Sequence, residues 1–290
     1  MSDPLVRKPK RGASLYSYSG EYGVTMTLED MLSDMSDMGA EGLEILANGH
    51  IEGYPNPSDA WLDNWFRLLD KYKIKPVEYG HWVDSRMYPG RELTTQESYD
   101  VLLRDIKLAN KLGFTVLRTK LGVIDHTLTP VHNWREFIEM ALPAAEDHNV
   151  RMCPEIHNPT VLKSRMVQEY VEFIERKRTR HFGLNIDFGI FQTNPYKMFE
   201  HDGPPMEYSP VEDLAEFLPY THACHAKFYN MTDDFVETTT PYDRILDLMV
   251  KHQWDGYLLS EYEGPNKDVP GYASGQLRRH HVMMKRHLGE

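Results

Sequence analysis

Four polar residues of the types that bind metal ions stand at the ends of apolar, strand-like runs: Glu155, Asp187, His225 and Glu261. They are separated along the chain by 32, 38 and 36 residues, and one strand–helix unit of a parallel β/α protein takes about 30 residues or more. In a closed barrel of such units, side chains at the carboxyl ends of the strands converge on one mouth. The spacing therefore predicts that the four side chains meet.

The chemistry of this set points to a divalent metal. Three carboxylates directed at one small volume repel one another, which raises their pKa values unless a cation lies between them. Carboxylate oxygens with one imidazole, and positions open to substrate oxygens, favour Mn2+ or Mg2+ over a structural zinc site, with Co2+ or Zn2+ as alternatives. For any one of these residues alone, a strand-end salt bridge or a helix cap is the better explanation. For the four together we predict a metal site.

His157 and Lys227 each follow a predicted ligand by two residues, so in an extended backbone they point to the same side as that ligand. His157 is predicted to be a general base, because a neutral imidazole beside a Lewis acid is suited to accept a proton next to a polarised carbonyl. The alternative is a loop histidine held by the backbone. Lys227 is predicted to stabilise an enolate or to bind a substrate hydroxyl.

Other strand ends supply weaker candidates, each of which a structural role explains equally well. They are Glu44, His81, Arg118 and Lys120. Aromatic residues near the strand ends would either stack on a sugar ring or belong to the core, and their periodicity does not separate these alternatives; they are Tyr79, Trp82, Phe228, Tyr229 and Tyr262.

The elements that must position these residues alternate along the chain. Strand-like runs are found at Ala13–Ser17, Gly42–Ala47, Pro76–Val83, Thr115–Leu121, Arg151–Ile156, Gly183–Phe188, His222–Phe228 and Gly256–Tyr262. Amphipathic helical patterns follow at Thr27–Met38, Trp61–Lys73, Glu97–Leu112, Trp134–His148, Lys163–Lys177, Val211–Leu218, Tyr242–His252 and Ser274–His287. Eight such units predict an α/β fold, a (β/α)8 barrel that forms a single domain over residues 1–290.

One connection is too long for an ordinary βα loop. The stretch Phe191–Pro210 is rich in proline and aromatic residues. In a barrel it would lie over the catalytic mouth, so we predict a lid or a partner-binding insertion at 191–210; a passive surface insertion is the equal alternative.

Charge and composition exclude several classes of protein. The 290 residues hold 32 Lys and Arg against 44 Asp and Glu, a formal net charge of -12, which disfavours nucleic acid and anionic membrane surfaces as partners. The stretch Met1–Arg11 lacks a following apolar region, and no run of about 18 apolar residues occurs, so a cytoplasmic location is predicted. Cys153 and Cys224 fall in predicted buried strands and are expected to be core thiols rather than a disulfide.

The strand-end set of glutamate, aspartate, histidine and glutamate, at this spacing, resembles the xylose isomerase-like TIM barrel superfamily over essentially the whole chain. The superfamily includes sugar isomerases and epimerases, inosose dehydratases, abasic-site endonucleases and the α subunits of bacterial C-glycoside deglycosidases. The resemblance implies the barrel fold and a divalent metal. The resemblance to the superfamily does not identify the reaction, which depends on the positions where this chain differs from particular members.

Two departures count against a standard ketose 3-epimerase. Those enzymes usually place a histidine three residues after the aspartate of the sixth strand, where this chain has Ile190. They also carry an arginine six residues after the histidine of the seventh strand, where this chain has Met231. An endonuclease needs further zinc-binding histidines and a DNA-compatible surface, neither of which the sequence shows.

Three short segments look instead like the C-glycoside deglycosidase α subunits: Glu155–His157, His225–Tyr229 and Ser260–Gly264. This resemblance implies cleavage of the carbon–carbon bond between a 3-keto sugar and an aromatic aglycone, with His157 moving the proton that leads to elimination. It also implies a small β subunit as partner, and an oligomeric assembly is expected.

Two other functions remain open. One is a sugar isomerase, an epimerase or a keto-sugar dehydratase that uses the metal to stabilise an enediolate, with Glu155 and Glu261 near the two faces of the sugar. The other is a sugar-binding or assembly subunit with a vestigial site.

Overall fold

The strand-like runs pair side by side into a closed parallel barrel. The computed structural model describes residues 7–83, 88, 90–121, 129–194 and 206–290, without the side chains of Trp82, Val83 and Lys120. Within these residues the strands pair in chain order, and the last pairs with the first. They are β1 Lys10–Ser14, β2 Gly42–Leu46, β3 Lys75–Val83, β4 Val116–Leu121, β5 Arg151–Ile156, β6 Leu184–Asp187, β7 Thr221–Phe228 and β8 Tyr257–Tyr262. The predicted (β/α)8 barrel is confirmed.

Helices fill the connections between the strands. They are α1 Leu28–Asp37, α2 Ala47–His50, α3 Asp59–Tyr72, α4 Thr95–Lys111, α5 Trp134–Asp147, α6 Arg165–Lys177, α7 Leu214–Phe217, α8 Tyr242–Lys251 and α9 Tyr272–Leu288. Helices α1, α3, α4 and α6 each begin after a capping Ser or Thr; at Thr27 and at Thr94, for example, the side-chain oxygen accepts from the backbone N–H three residues on. Helices α5, α8 and α9 have no such side-chain cap. The connection to β7 holds mainly short turns, because 3-10 turns at Val211–Asp213 and Leu218–Tyr220 flank α7.

The first strand lies three residues earlier than the sequence predicts, at Lys10–Ser14 rather than Ala13–Ser17. Ser14 Oγ accepts a hydrogen bond from Tyr16 N at 3.2 Å, and the chain then turns through a 3-10 helix at Leu15–Tyr18. The apolar composition of Leu15–Tyr18 is typical of a strand, but Ser14 caps the 3-10 helix and the strand ends at that residue.

Two irregularities in strand register alter which side chains face the barrel interior. Between β2 and β3 the partners step from Leu43 with Pro76 to Glu44 with Glu78, so Val77 is an extra residue. A similar shift lies between β6 and β7. The first of these places Glu78 opposite Glu44 inside the barrel.

The core lies mainly between the barrel and its helices and includes stacked aromatic side chains such as Trp65 against Phe114 and Trp134 against Phe182. A smaller cluster fills the amino-terminal end of the barrel interior with Val77, Val116, Cys153, Ala223 and Leu259. Cys153 and Cys224 are both buried and free, as predicted.

The connections after β1 and β8 touch through their backbones. A Cβ at Gly20 would lie 2.3 Å from Lys267 O, so only glycine fits there. Lys267 Nζ donates to Tyr16 O at 2.9 Å, and Glu21 Oε1 accepts from Gly271 N at 2.8 Å. We call this contact between the two connections the β8–β1 seam.

The predicted lid or partner-binding stretch at 191–210 lies partly outside the described residues. Its two described ends are close to each other and to neighbouring connections. Ser209 N donates to Ile190 O at 2.7 Å, and Thr193 N donates to Thr239 O at 2.9 Å. The role of the stretch stays a prediction.

Among the helices that the structure describes, none has both the length and the apolar character required to cross a bilayer.

Candidate metal centre and active site

The barrel brings the four predicted ligands together at the carboxyl ends of β5 to β8. One ligand atom from each of the four side chains lies within 4.8 Å of every other. His225 Nδ1 is 2.9 Å from Glu155 Oε1, 3.0 Å from Glu261 Oε2 and 3.9 Å from Asp187 Oδ2. The four side chains are at most 8% exposed. Strands that end at one level thus gather residues that are 106 positions apart in sequence.

This donor set fits a six-coordinate divalent ion. Two ligand atoms at right angles about an octahedral Mg2+, each about 2.1 Å from it, are about 3.0 Å apart. The distances from His225 Nδ1 to Glu155 and Glu261 agree with that separation. Three carboxylates and one imidazole are also the donors that Mg2+ and Mn2+ accept.

The charges of the site show why a cation would stabilise it. Burial, together with the negative charges of Glu261 and Glu155, raises the pKa of Asp187 to about 7. Burial also opposes ionisation of Glu261, but the positive charges of Lys227 and His225 hold its pKa well below the usual range. A divalent ion between these groups would favour the ionised form of each carboxylate.

Lys227 lies directly beside the candidate ligands. Its Nζ is 2.8 Å from Asp187 Oδ2 and 3.6 Å from Glu261 Oε2. It is also 2.8 Å from Glu263 Oε2, and the other oxygen of Glu263 accepts a hydrogen bond from Tyr16 Oη at 3.2 Å. The side chain of Lys227 therefore connects the candidate metal centre to the mouth of the barrel at the β8–β1 seam.

His157 follows the last residue of β5 and is half-buried. Its Nδ1 lies 2.7 Å from Asn158 O, a contact that assigns the proton to Nδ1 and the basic lone pair to Nε2. Asn158 Nδ2 in turn donates to Gly189 O at 2.8 Å, next to the segment that carries Asp187. The backbone contact thus fixes the ring in the tautomer that a general base at Nε2 requires.

A second polar group lies deeper in the barrel, beneath the four candidate ligands, and only part of it was predicted from the sequence. Arg118 Nε is 2.8 Å from Glu44 Oε1, and its Nη1 is 2.8 Å from Glu155 Oε2. Glu78 Oε1 accepts from Asn185 Nδ2 at 2.8 Å. Glu78 and Asn185 were not predicted as part of the site. The sequence feature that could have identified them is a polar side chain in the middle of an otherwise apolar strand.

The weaker candidate residues lie on both faces of the barrel wall. Glu44 and Arg118 face the interior, whereas His81 faces outward and contacts the buried Asp105 of α4. The side chains of Lys120 and Trp82 lie outside those described. The other aromatic candidates are at most 3% exposed and pack as core.

The two positions that depart from the epimerase pattern have structural roles. Ile190 is completely buried in the turn that follows β6. Met231 is 2% exposed, and its backbone N–H donates to Gln276 Oε1 of α9 at 2.7 Å.

Comparison with known proteins gives the family and the fold. The chain is 22% identical to the 3'-dehydrocarminate deglycosidase alpha subunit of a Microbacterium species, over 97% of this chain and 96% of that protein. It is 23% identical to a C-glycoside deglycosidase alpha subunit of Arthrobacter globiformis, over 96% and 92% of the two chains. The crystal structure of D-allulose 3-epimerase from a Methylomonas species superposes with a TM-score of 0.69 at 11% identity, covering 99% of this chain and 100% of that one.

The family model described as xylose isomerase-like TIM barrel matches residues 32–281, which include the four candidate ligands, His157 and Lys227. The chain belongs to the xylose isomerase-like TIM barrel family.

Proposed function

We propose that this chain is the catalytic subunit of a divalent-metal-dependent carbon–carbon lyase that cleaves 3-keto C-glycosides into an aglycone and a sugar. The proposal depends above all on His157. This residue stands two positions past the candidate ligand Glu155, and its Nδ1 is held by Asn158 O at 2.7 Å. Relatives named deglycosidase alpha subunits, one for 3'-dehydrocarminate and another for C-glycosides, match most of the chain and support the same reaction.

The metal would be held by the four clustered ligands Glu155, Asp187, His225 and Glu261. We propose Mn2+ or Mg2+ in this position, because oxygen ligands dominate. When bound, such an ion supplies Lewis-acid polarisation of the sugar carbonyl and makes the neighbouring C–H more acidic.

His157 supplies the base. Its Nε2 removes the proton from the sugar carbon that lies between the keto carbon and the carbon bearing the aglycone. The released electron pair forms a carbon–carbon double bond, and the bond to the aglycone breaks. The aryl carbon keeps the electron pair of that bond and takes up one proton, so atoms and charge balance.

Lys227 supplies positive charge close to the developing negative charge. Its ammonium group, held between Asp187 and Glu263 at 2.8 Å from each, is placed to hold a sugar oxygen next to the metal. A buried cation in a site of low polarity interacts more strongly with an enolate than it would in water.

The second candidate is a sugar isomerase, epimerase or keto-sugar dehydratase acting through an enediolate. It is favoured by a pair of carboxylates, Glu155 and Glu261, whose oxygens lie 2.9 and 3.0 Å from His225 Nδ1. Two carboxylates in one site could serve the two faces of a sugar. The buried Ile190, at the position of an epimerase histidine, counts against it.

One incubation separates the two reactions. The Mn2+-loaded chain, alone and together with a candidate small β subunit, is given a 3-keto C-glucosylated flavonoid and a panel of ketoses. The lyase predicts release of free aglycone, measured by liquid chromatography. Interconversion of the ketoses without any aglycone release would replace the lyase by the second candidate.

The metal centre has its own test. We expect Glu155→Gln and Asp187→Asn to lower Mn2+ content far below one ion per chain, because each removes a charged ligand. The measurement is elemental analysis after dialysis, with circular dichroism as the control for folding. Full metal occupancy in both folded variants would refute the site.

A further inference from the structure

Arg118 lies between the candidate metal ligands and a second pair of acids deeper in the barrel. Its Nη1 is 2.8 Å from Glu155 Oε2, the oxygen that is turned away from His225. Its Nε is 2.8 Å from Glu44 Oε1 and 3.9 Å from Glu78 Oε1. The arginine side chain is 12% exposed, so the charges meet largely out of contact with water.

The deeper pair faces the other nitrogen of the histidine ligand. His225 Nε2 is 3.4 Å from Glu44 Oε1 and 3.5 Å from Glu78 Oε1. A metal-binding histidine commonly directs its second ring nitrogen at a carboxylate, which fixes the tautomer and the orientation of the ring. Because Nδ1 faces the other three ligands, Nε2 is the nitrogen left for this contact.

Glu44 and Glu78 are themselves fixed. Glu44 Oε2 accepts a hydrogen bond from the buried Ser14 hydroxyl, and Glu78 Oε1 accepts from Asn185 Nδ2 at 2.8 Å. Glu44, Glu78 and His225 could by their types also hold a cation. The guanidinium group of Arg118 already lies 2.8 Å from the same Glu44 oxygen that faces His225. Arg118 therefore supplies the positive charge in this part of the barrel, in the place of a second cation.

A guanidinium suits this place better than an ammonium. It is planar and presents donors in a fixed fork, so one side chain can hold two carboxylates at a set angle. A lysine would carry the same charge on a single, rotatable group. The geometry, rather than the charge alone, therefore accounts for an arginine here.

We propose that Arg118, together with Glu44, is a positioning element of the metal centre: the guanidinium fork holds the carboxylate of Glu155 from behind and holds Glu44 against Nε2 of His225. The inference deepens the proposed function, because it rests on the metal centre proposed above. It assigns to Arg118 no contact with substrate.

The test is Mn2+ binding to Arg118→Lys, measured by titration calorimetry, with the visible absorption spectrum of the Co2+-loaded chain as a second measurement. The substitution keeps the charge and removes the fork. We expect the Kd for Mn2+ to rise about 10- to 100-fold, the usual effect of losing a residue that orients a ligand. We also expect the Co2+ bands to shift, since they report ligand geometry.

The same substitution at Arg135 is the matched control. Arg135 is 39% exposed and pairs with Glu169 at 2.5 Å on the helix layer, so Arg135→Lys should bind Mn2+ as the wild type does. A second variant, Ser14→Ala, removes a neutral donor to Glu44 and should raise the Kd in the same direction by a smaller factor.

A folded Arg118→Lys chain with wild-type Kd and wild-type Co2+ spectrum would overturn the inference. If Arg118→Lys fails to fold, an unchanged Kd and spectrum in Ser14→Ala would overturn it equally. These binding results test the role of Arg118 and are independent of whether the chain catalyses the lyase reaction. A wild-type chain that binds Mn2+ but releases no aglycone would refute the lyase and leave the role of Arg118 standing.

Discussion

A spacing of two residues recurs at three of the four strands β5 to β8, in the pairs Glu155 with His157, His225 with Lys227 and Glu261 with Glu263. The first member of each pair is a candidate metal ligand. The side chains of Lys227 and Glu263 lie 2.8 Å apart next to the ligands. Since alternate residues of a strand share a face, one strand end can supply both a ligand and a polar group for the substrate.

We predict that His157→Gln keeps its metal and loses turnover. Glutamine retains polarity but has no basic nitrogen, so proton removal should slow about 10²- to 10⁴-fold, the usual contribution of a general base. The measurement combines Mn2+ content with the rate of aglycone release. Unchanged turnover in a metal-loaded variant would remove His157 as the base.

The clustering of the four candidate ligands could be predicted because strand-end position and spacing are both visible in the sequence. Glu78 could not be placed in the same way, since the extra residue Val77 changes which side chains of β3 face inward. His81 was predicted to be a candidate site residue at the barrel mouth because it is polar and lies near a strand end. The structure instead pairs it with Asp105 of α4, a partner that strand parity alone does not reveal.

At the scale of whole elements, the position of β1 shows how a turn can imitate a strand. The apolar segment Leu15–Tyr18 continues the strand pattern, but Ser14 caps it as a 3-10 turn. The hydrogen bonds from Tyr16 N to Ser14 Oγ and from Ser19 N to Tyr16 O distinguish the turn from a strand, and the sequence does not display them. Elsewhere the predicted strands agree with the structure to within one residue at each end.

Gly20→Ala should destabilise the fold, because the new Cβ would meet backbone atoms of Lys267 and Asp268 at 2.3 and 2.7 Å. We expect a loss of about 1–3 kcal/mol, as for other overpacking changes. Gly275→Ala is the matched control: it lies inside α9 with its nearest contact at 3.7 Å. Alanine there should stabilise by about 0.5–1 kcal/mol. Equal unfolding midpoints in urea for the two variants would contradict this.

The docking of α9 onto the barrel should be sensitive to acid. His281 contacts Ser260 Oγ and Arg11 Nη1, and burial together with the charge of Arg11 lowers the pKa of His281 to about 3. The unfolded chain then binds the extra proton first, so this stability is complete above about pH 6.5 and is lost as the pH falls toward 3.

Between pH 7 and pH 5 this one group should reduce the free energy of unfolding by about 2 kcal/mol. His281→Gln should show a shallower dependence on pH over that interval. Urea unfolding of both chains at the two pH values is the measurement, and parallel losses in the two would count against a role for His281.

For the molecule as a whole, metal binding should appear as thermal stability. A ligand present at 100 times its Kd adds about 2.7 kcal/mol to the free energy of unfolding. For a chain of this size that amounts to a rise of about 4 °C in Tm. We expect this rise when Mn2+ is added to chelator-treated protein, and none in Asp187→Asn. A rise of the same size in that variant would place the stabilising ion elsewhere.

The β8–β1 seam makes the two sides of the barrel mouth unequal for protein engineering. Where Gly20 and the backbone at Lys267 touch, neither connection can change its course without moving the other. The stretch between β6 and α7 has 26 residues, against 13 and 9 in the two connections that form the seam. Mutant libraries intended to admit a bulkier substrate should therefore leave the seam intact and vary the connection after β6.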